Sequence, residues 1–338
     1  MKVGVIGLGM GRAHLQAYRA FDQAEIVGIA DLDEARLKSS AAEYGIGRIF
    51  TDYHDLLALP ELEAVSVCLP NHLHAPVVIE ALQAGKNVLV EKPMARTPAE
   101  ARSMKEAAEA TGRTLGVSMN YRWIVGPDSW YLKHLIDAGR LGEIYYVRAY
   151  TLRRRTFPRG HKTWFTQKAV SGGAALMDMG PHLLDLAMWL AGDYVPRQVS
   201  GVTRTALMTD TDVDDFGVVL VRMQGGATIY LESTWASFTK PGVGLVVMGT
   251  QGGAMLDLNA AQGKRLTLLG ADGDTLTEVT PVDIQLPYTP EASIQEHFIR
   301  RVSAGQQPET TPARGLAVVQ VIDGAYRSSE SGRDVVIE

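Results

Sequence analysis

The sequence has one cysteine, no long apolar run and no excess of positive charge. The single cysteine, Cys68, excludes an intrachain disulfide framework and is typical of a reducing compartment. No window approaches about 18 consecutive apolar residues, so no membrane span is predicted. With 33 Lys and Arg against 38 Asp and Glu, the net charge of −5 offers no basic field to nucleic acid or anionic membranes. Internal repeats and low-complexity segments are also missing.

What is present indicates a globular protein of two domains. A chain of 338 residues with 46% hydrophobic residues is longer than one typical domain and can bury a sizeable core. Residues 1–10 are apolar, but the run is short, broken by glycine and followed by no small-residue cleavage site. We therefore expect a cytoplasmic protein, with a first domain over residues 1–121 and a second over 122–338.

A glycine-rich loop follows the first predicted strand. Residues 2–6 are predicted to form a buried strand, residues 12–21 a helix, and the turn between them contains Gly7, Gly9, Met10 and Gly11. Glycines here allow a tight turn and let backbone N–H groups reach a pyrophosphate at the helix N-terminus. The spacing departs from the usual fingerprint, which has its third glycine where this chain has Arg12.

An acidic residue ends the second predicted strand. Asp31 follows residues 25–30 and lies about 20 residues beyond the loop, as the dinucleotide fingerprint requires. Its carboxylate is expected to accept hydrogen bonds from the adenosine ribose and, with Asp33, to repel a 2′-phosphate. NAD is therefore favoured over NADP. The alternative is that Asp31 only caps a helix over residues 34–44.

The alternation of strands and helices continues to residue 118 and predicts a parallel, doubly wound sheet. Ligands of such sheets bind beyond the carboxyl ends of the strands. His72 and His74 near Cys68 lack the further spacing of a zinc site, so no metal is predicted, and His74 is expected to touch the cofactor or cap a helix. Besides the loop and Asp31, the predicted cofactor contacts are Pro70, Asn71, His74, Glu91, Lys92 and Asn120.

Lys92 stands between a strand end and Pro93. The residue before a proline is held extended, so the ammonium group has a defined direction. Near the positive ring of an oxidised nicotinamide its pKa should fall, which makes Lys92 a candidate proton partner. The alternative is a solvated loop lysine.

Beyond residue 122 strands follow one another with few helices. Such a succession predicts a largely antiparallel sheet with helices on one face. An apolar open face is usually buried between subunits, so we expect a homodimer or homotetramer. Two helices, over residues 291–303 and 312–329, close the chain. The predicted strands cover residues 143–153, 196–207, 213–222, 227–236, 243–249 and 252–258.

The stretch over residues 172–185 combines a glycine pair with ionisable residues. Asp178, His182 and Asp185 share one stripe if the segment is helical throughout. Pro181 suits a first turn, so an alternative start lies near Gly180. A carboxylate beside an imidazole is what a proton-transfer site requires, although a buried Asp–His pair that only satisfies itself is the alternative.

The most basic part of the chain precedes this stretch. Residues 153–168 include Arg153, Arg154, Arg155, Arg159, His161, Lys162 and Lys168. Such a run is usually a solvated loop; the alternative is a lid or an anion-holding segment. Trp164 within it is the candidate for stacking on a substrate ring.

Taken together, these motifs resemble one family, the Gfo/Idh/MocA oxidoreductases, which are relatives of glucose–fructose oxidoreductase and inositol dehydrogenase. The similarity covers almost the whole chain, and the motifs occur in the family's order. Each motif alone is weak, whereas their combination is specific. They are residues 5–14, 70–74, 84–93, 172–185 and 326–333.

The resemblance implies an N-terminal Rossmann domain and a C-terminal α+β domain with a large open-faced sheet, whose last helix packs back on the first domain. It implies an NAD(P)-dependent dehydrogenase acting on a sugar or polyol hydroxyl. Lys92, Asp178 and His182 match the family's catalytic residues, and the Lys92–Pro93 bond is expected to be cis. Asp178, His182, Arg122 and Trp164 are candidates for substrate contact. Two other functions stay open: NAD-assisted cleavage of glycosides, and a non-catalytic NAD- and sugar-sensing regulator.

Overall fold

Two β-sheets organise the chain, one in each of two units. The computed structural model describes residues 1–154, 163–270 and 284–338, together with the backbone of residues 276–278. Met1–Met119 and Glu291–Leu316 form the first unit, and Asn120–Pro290 and Ala317–Glu338 form the second. Within the described residues, no helix has both the length and the apolar character needed to cross a membrane.

The first unit is built on a six-stranded sheet in the order β3-β2-β1-β4-β5-β6, and every neighbouring pair is parallel. Strand order reverses between β1 and β4, which is the switch point where such sheets bind ligands. The predicted Rossmann fold is thus confirmed. The strands are β1 (Lys2–Ile6), β2 (Glu25–Ala30), β3 (Ile49–Phe50), β4 (Ala64–Val67), β5 (Asn87–Glu91) and β6 (Leu115–Ser118), and the helices are α1 (Gly11–Arg19), α2 (Glu34–Tyr44), α3 (Tyr53–Leu57), a 3₁₀ turn (Asn71–Leu73), α4 (His74–Gln83) and α5 (Pro98–Thr111).

The second unit is built on a nine-stranded sheet in the order β14-β13-β12-β11-β7-β10-β9-β8-β15. The pair β7 and β10 is parallel, and the other described pairings are antiparallel, as predicted. The helices are α6 (Tyr121–Val125), α7 (Pro127–Asp137), a 3₁₀ turn (Trp164–Thr166), α8 (Lys168–Ser171) and α9 (Ala175–Ala191), and the strands are β7 (Ile144–Leu152), β8 (Pro196–Arg204), β9 (Phe216–Met223), β10 (Thr228–Thr234), β11 (Gly242–Gly249), β12 (Gly252–Asp257), β13 (Leu266–Leu269), β14 (Leu276–Glu278) and β15 (Val335–Val336).

The two faces of this sheet differ because its strands alternate. One face buries Val147, Val219 and Leu231, and α9 packs on the strands β7, β9 and β10 that carry them. The opposite face carries apolar side chains at positions such as Leu220 and Met248, which are 40% and 38% exposed. The sheet is therefore open on one side, as the sequence predicted.

The last two helices are α10 (Ile294–Ser303) and α11 (Pro312–Ser331). Helix α10 belongs to the first unit, because Phe298 and Ile299 on its apolar face are fully buried in that unit's core. A side chain at Gly116 on β6 would press within 3.0 Å of the Phe298 ring. The predicted second domain covers residues 122–338, whereas residues 291–316 lie with the first unit.

Candidate active site

The glycine loop has the geometry of a dinucleotide cradle. Gly7 has a φ of +85°, and a Cβ there would lie 2.5 Å from the carbonyl oxygen of Cys68. A Cβ at Gly11 would lie 2.7 Å from Cγ1 of Val5, so Gly11 allows α1 to pack closely on β1. Close packing is the role of the third glycine in the usual fingerprint. This explains why position 12 tolerates an arginine, which pairs with Glu43 at the surface.

The N-terminus of α1 fits an anionic group. The first turn of α1 contains no acidic residue, and Met10 at the N-cap forms no side-chain cap among the described residues. Helix N-termini of this kind attract phosphate through their N–H groups and the helix dipole. The loop therefore fits the pyrophosphate of NAD.

Asp31 connects the loop to the end of β2. Its Oδ2 accepts the Leu8 N–H at 2.6 Å, and its Oδ1 accepts the Asp33 N–H at 2.9 Å. Asp33, not Asp31, caps α2 by accepting the Arg36 N–H. Arg36, which the sequence analysis did not select, lies 3.1 Å from Asp31 and 3.2 Å from Asp33. Two carboxylates and one guanidinium leave a net negative charge where an adenosine ribose would bind.

This charge balance predicts a change of cofactor preference in Asp31→Ser. Removal of one carboxylate leaves Arg36 available to a 2′-phosphate, while the serine keeps one acceptor for the loop. We expect the affinity for NADPH relative to NADH to rise at least about tenfold. Titration of nicotinamide fluorescence measures both affinities. Adding Arg36→Met should abolish the gain, and an unchanged ratio in Asp31→Ser would disprove this role of Asp31.

The carboxyl ends of β4 and β5 carry most of the other predicted cofactor residues. Asn71, which follows Pro70, is buried at the start of the 3₁₀ turn. His74 and Glu91 are also buried, and Lys92 is partly exposed directly after β5. The Lys92–Pro93 bond is cis, which confirms the expectation from the family resemblance. Asn120 lies in the second unit as the N-cap of α6.

In the second unit, α9 is continuous from Ala175 and contains Pro181 in its interior. Its start is fixed by Asp214, which accepts the N–H groups of Ala174 and Leu176, both at 2.8 Å. Tyr326 donates to the same carboxylate at 2.8 Å, and a Cβ at Gly173 would overlap its hydroxyl group. Gly173 therefore leaves the space that the Tyr326 side chain occupies.

His182 and Asp178 lie one turn apart on α9. The His182 ring stacks on Tyr121, with centroids 4.3 Å apart and planes inclined by 14°. His182 is 8% exposed, and Asp178 lies 3.5 Å from the Arg153 guanidinium. Burial raises the pKa of Tyr121 to about 12, so its phenol keeps its proton at neutral pH. An imidazole, a carboxylate, a phenol and a guanidinium thus gather on one side of α9. The contact between Asp178 and Arg153 was not predicted from the sequence.

Arg122 and Trp164 have contacts of a different kind. Arg122 is fully buried, lies 2.8 Å from Asp185 and donates to the Tyr194 hydroxyl at 2.7 Å. Asp185 is therefore the ion-pair partner of Arg122. Trp164 stacks on Phe165 at a centroid distance of 3.8 Å. Of the basic run, Arg155, Arg159, His161 and Lys162 lie outside the described residues.

The doubly wound sheet and its glycine loop are typical of a dinucleotide-binding protein. The chain belongs to the Gfo/Idh/MocA oxidoreductase family. The model of its NAD-binding Rossmann domain matches residues 1–119, and the model of its C-terminal domain matches residues 108–255. The predictions of this family and of an NAD-binding domain are thus confirmed.

Known relatives agree with this assignment. Inositol 2-dehydrogenase from Gluconacetobacter diazotrophicus is 31% identical over 99% of this chain and 96% of its own length. D-glucoside 3-dehydrogenase from Escherichia coli is 32% identical over 64% of this chain, and the match spans 61% of that protein, which is less than two thirds. A solved structure of levoglucosan dehydrogenase in complex with NADH has a TM-score of 0.88 and 25% identity, covering 100% of this chain and 99% of that one.

Proposed function

We propose that this protein is an NAD-dependent dehydrogenase that oxidises a CH–OH group of a sugar or polyol. The relatives named above act, by their names, on inositol, a D-glucoside and levoglucosan, which share this chemistry. The observation that carries the proposal is His182, a buried imidazole that stacks on Tyr121 one helical turn after Asp178. A positioned imidazole of this kind suits proton transfer near neutral pH.

The proposed roles divide between a redox cofactor and the side chains. NAD, when bound, supplies the acceptor for the hydride that leaves the substrate carbon. His182 takes the hydroxyl proton, and Tyr121 holds the imidazole ring by stacking. Asp178 stabilises the charge that the imidazole gains. Lys92 donates a hydrogen bond to the same hydroxyl and stabilises the negative charge that develops on its oxygen.

A substrate panel tests this function. We expect NAD to be reduced, seen as NADH absorbance, with at least one of myo-inositol, levoglucosan, methyl D-glucosides, aldoses and aldonic acids. A glycoside-cleaving relative would release a chromogenic leaving group without net NADH formation. A regulator would bind NADH, seen by fluorescence, yet reduce no NAD with any member. Either of these two results would refute the proposal.

We also propose that the open face of the nine-stranded sheet binds a second copy of this chain. Val202, Leu220, Met248 and Met255 on this face are 55%, 40%, 38% and 44% exposed. Arg148 and Glu232 lie side by side among them, 3.7 Å apart. A face with both charges among apolar residues can pair with itself about a two-fold axis, which favours a second copy as its partner.

A charged residue on this face should dissociate the assembly. Leu220→Glu would bring two carboxylates into the apolar contact, so we expect a monomer by sedimentation velocity at concentrations where the unaltered protein is a dimer or tetramer. Ile49→Glu is the matched control, because Ile49 is 38% exposed but lies in the first unit. A monomeric unaltered protein, or an intact oligomer in Leu220→Glu, would exclude this interface.

A further inference from the structure

Two buried ionisable side chains of the first unit, those of Glu91 and His74, contact the backbone on either side of the Lys92 Cα. We infer that Glu91 and His74 are positioning residues that fix the Lys92–Pro93 segment and thereby the place of the Lys92 side chain. This inference rests on the proposed function, in which Lys92 contacts the substrate hydroxyl. It also accounts for the burial of Glu91 and His74, to which the proposed reaction assigns no step.

Glu91 holds the segment at its amino side. Its carboxylate is buried, and Oε2 accepts the N–H of Lys92 at 3.0 Å. Oε1 lies 2.9 Å from Nε2 of His14, which is 1% exposed. A carboxylate only accepts, so Nε2 of His14 carries the proton in this contact.

The far side of His14 completes a chain of donors. Its Nδ1 lies 2.9 Å from Oγ of Ser66, which lies 2.7 Å from the hydroxyl of Tyr18. Burial raises the pKa of Tyr18, so this phenol stays protonated. With Tyr18 donating to Ser66, Ser66 to His14 and His14 to Glu91, these contacts form one consistent chain that ends on the carboxylate holding Lys92.

His74 holds the segment at its carboxyl side. The ring is fully buried, with Nδ1 2.8 Å from the carbonyl oxygen of Pro93 and Nε2 2.8 Å from that of Leu69. Burial lowers the pKa of His74 and so favours the neutral ring, which donates through one nitrogen only. With the proton on Nδ1, that hydrogen bond goes to the carbonyl oxygen of Pro93. The backbone of Lys92 and Pro93 is therefore bound through an N–H on one side and a carbonyl on the other.

A contribution to stability alone does not explain why Glu91 and His74 are buried at these positions. A buried carboxylate is costly to desolvate, and apolar side chains of similar volume commonly serve a core at least as well. Glu91 and His74 instead fix the direction in which the Lys92 side chain leaves the backbone, because each contacts one backbone atom beside Lys92. Lysine has four rotatable side-chain bonds, so its ammonium is confined only if the Cα from which it starts is confined. Displacement of a catalytic group by 1 Å can cost about 100-fold in rate.

A double-mutant cycle between Glu91→Gln and Lys92→Ala tests this inference. The substrate is the panel sugar with the highest kcat/KM. If Glu91 acts through Lys92, Glu91→Gln should lower kcat about tenfold or more in the unaltered protein and less than about twofold in Lys92→Ala. Equal factors in both backgrounds, or no loss from Glu91→Gln alone, would overturn the inference. Full activity of Lys92→Ala would refute the role of Lys92, and the inference with it, so the two failures are distinguishable.

Amide hydrogen exchange gives a second readout that does not depend on turnover. In Glu91→Gln, the peptide containing Lys92 and Met94 should exchange at least about tenfold faster. Lys86→Met is the matched control, because Lys86 is a buried lysine beside the other end of β5 that donates to Leu59 and Leu62 at 2.9 and 3.0 Å. It should change neither kcat nor exchange at Lys92. Unaltered exchange in Glu91→Gln would count against the inference, and His74→Gln replaces Glu91→Gln in both tests if that variant does not fold.

Discussion

Replacement of His182 by alanine is expected to lower kcat about 1000-fold, within the range that general acid–base groups usually contribute. The same loss is expected in Lys92→Ala, because the developing oxygen charge then lacks its cation. Lys92 lies in the first unit and His182 in the second. Each substitution only shortens one side chain, so both variants should keep the fold. Initial rates of NADH formation with the panel sugar of highest kcat/KM measure the effect.

His134→Ala provides the matched control for His182→Ala. His134 lies on α7 in the same unit, outside the cluster formed by Tyr121, Asp178 and His182. Its removal should leave kcat within about twofold of the unaltered protein, since His134 is partly exposed and lies outside that cluster. NADH fluorescence and circular dichroism confirm that each variant binds the cofactor and folds. Turnover at the unaltered rate in His182→Ala or Lys92→Ala would refute the proposed roles.

The second large effect concerns stability. Arg122→Ala is expected to reduce the free energy of unfolding by about 3–5 kcal/mol, because it leaves the Asp185 carboxylate buried without its cation. Arg122 and Asp185 are 0% and 1% exposed, so solvent cannot compensate. All five tryptophans lie in the second unit, at positions 123, 130, 164, 189 and 235. Urea unfolding followed by tryptophan fluorescence therefore reports on this unit.

Two further variants sharpen this prediction. Arg122→Met combined with Asp185→Leu removes both charges and should recover most of the lost stability, since an apolar pair can replace a buried ion pair. Arg327→Ala removes an exposed pair with Asp323 and should cost less than about 1 kcal/mol. If Arg122→Ala is as stable as Arg327→Ala but has a raised KM for the sugar, Arg122 contacts substrate, as the sequence analysis predicted.

Local sequence signals predicted the helices and strands of the first unit in detail. Helix α2 has its predicted bounds, residues 34–44, because Asp33 provides the N-cap and Gly45 ends the helix. The parallel sheet followed from the alternation of apolar strands with helices of suitable length. In the second unit, the strands β13, β14 and β15 were not predicted, since segments of two to four residues carry little periodicity.

Contacts between residues that are distant in the sequence could not be predicted. Pro181 left the start of α9 open, and the helix begins at Ala175 because Asp214, far along the chain, binds its first N–H groups. Arg122 was assigned to the substrate because no local pattern reveals its pairing with Asp185, 63 residues away. The contact of His14 with Glu91 spans 77 residues and was likewise invisible. Motifs identify candidate residues, whereas their partners depend on the fold.

The central claim is that Lys92 and His182 act on one substrate hydroxyl. A crystal structure of this protein with NADH and the panel sugar of highest kcat/KM tests it most directly. We predict that a single sugar oxygen lies within hydrogen-bond distance of both Nζ of Lys92 and a ring nitrogen of His182, and that the carbon bearing it faces the nicotinamide. A sugar bound with either side chain remote from that oxygen would contradict this account.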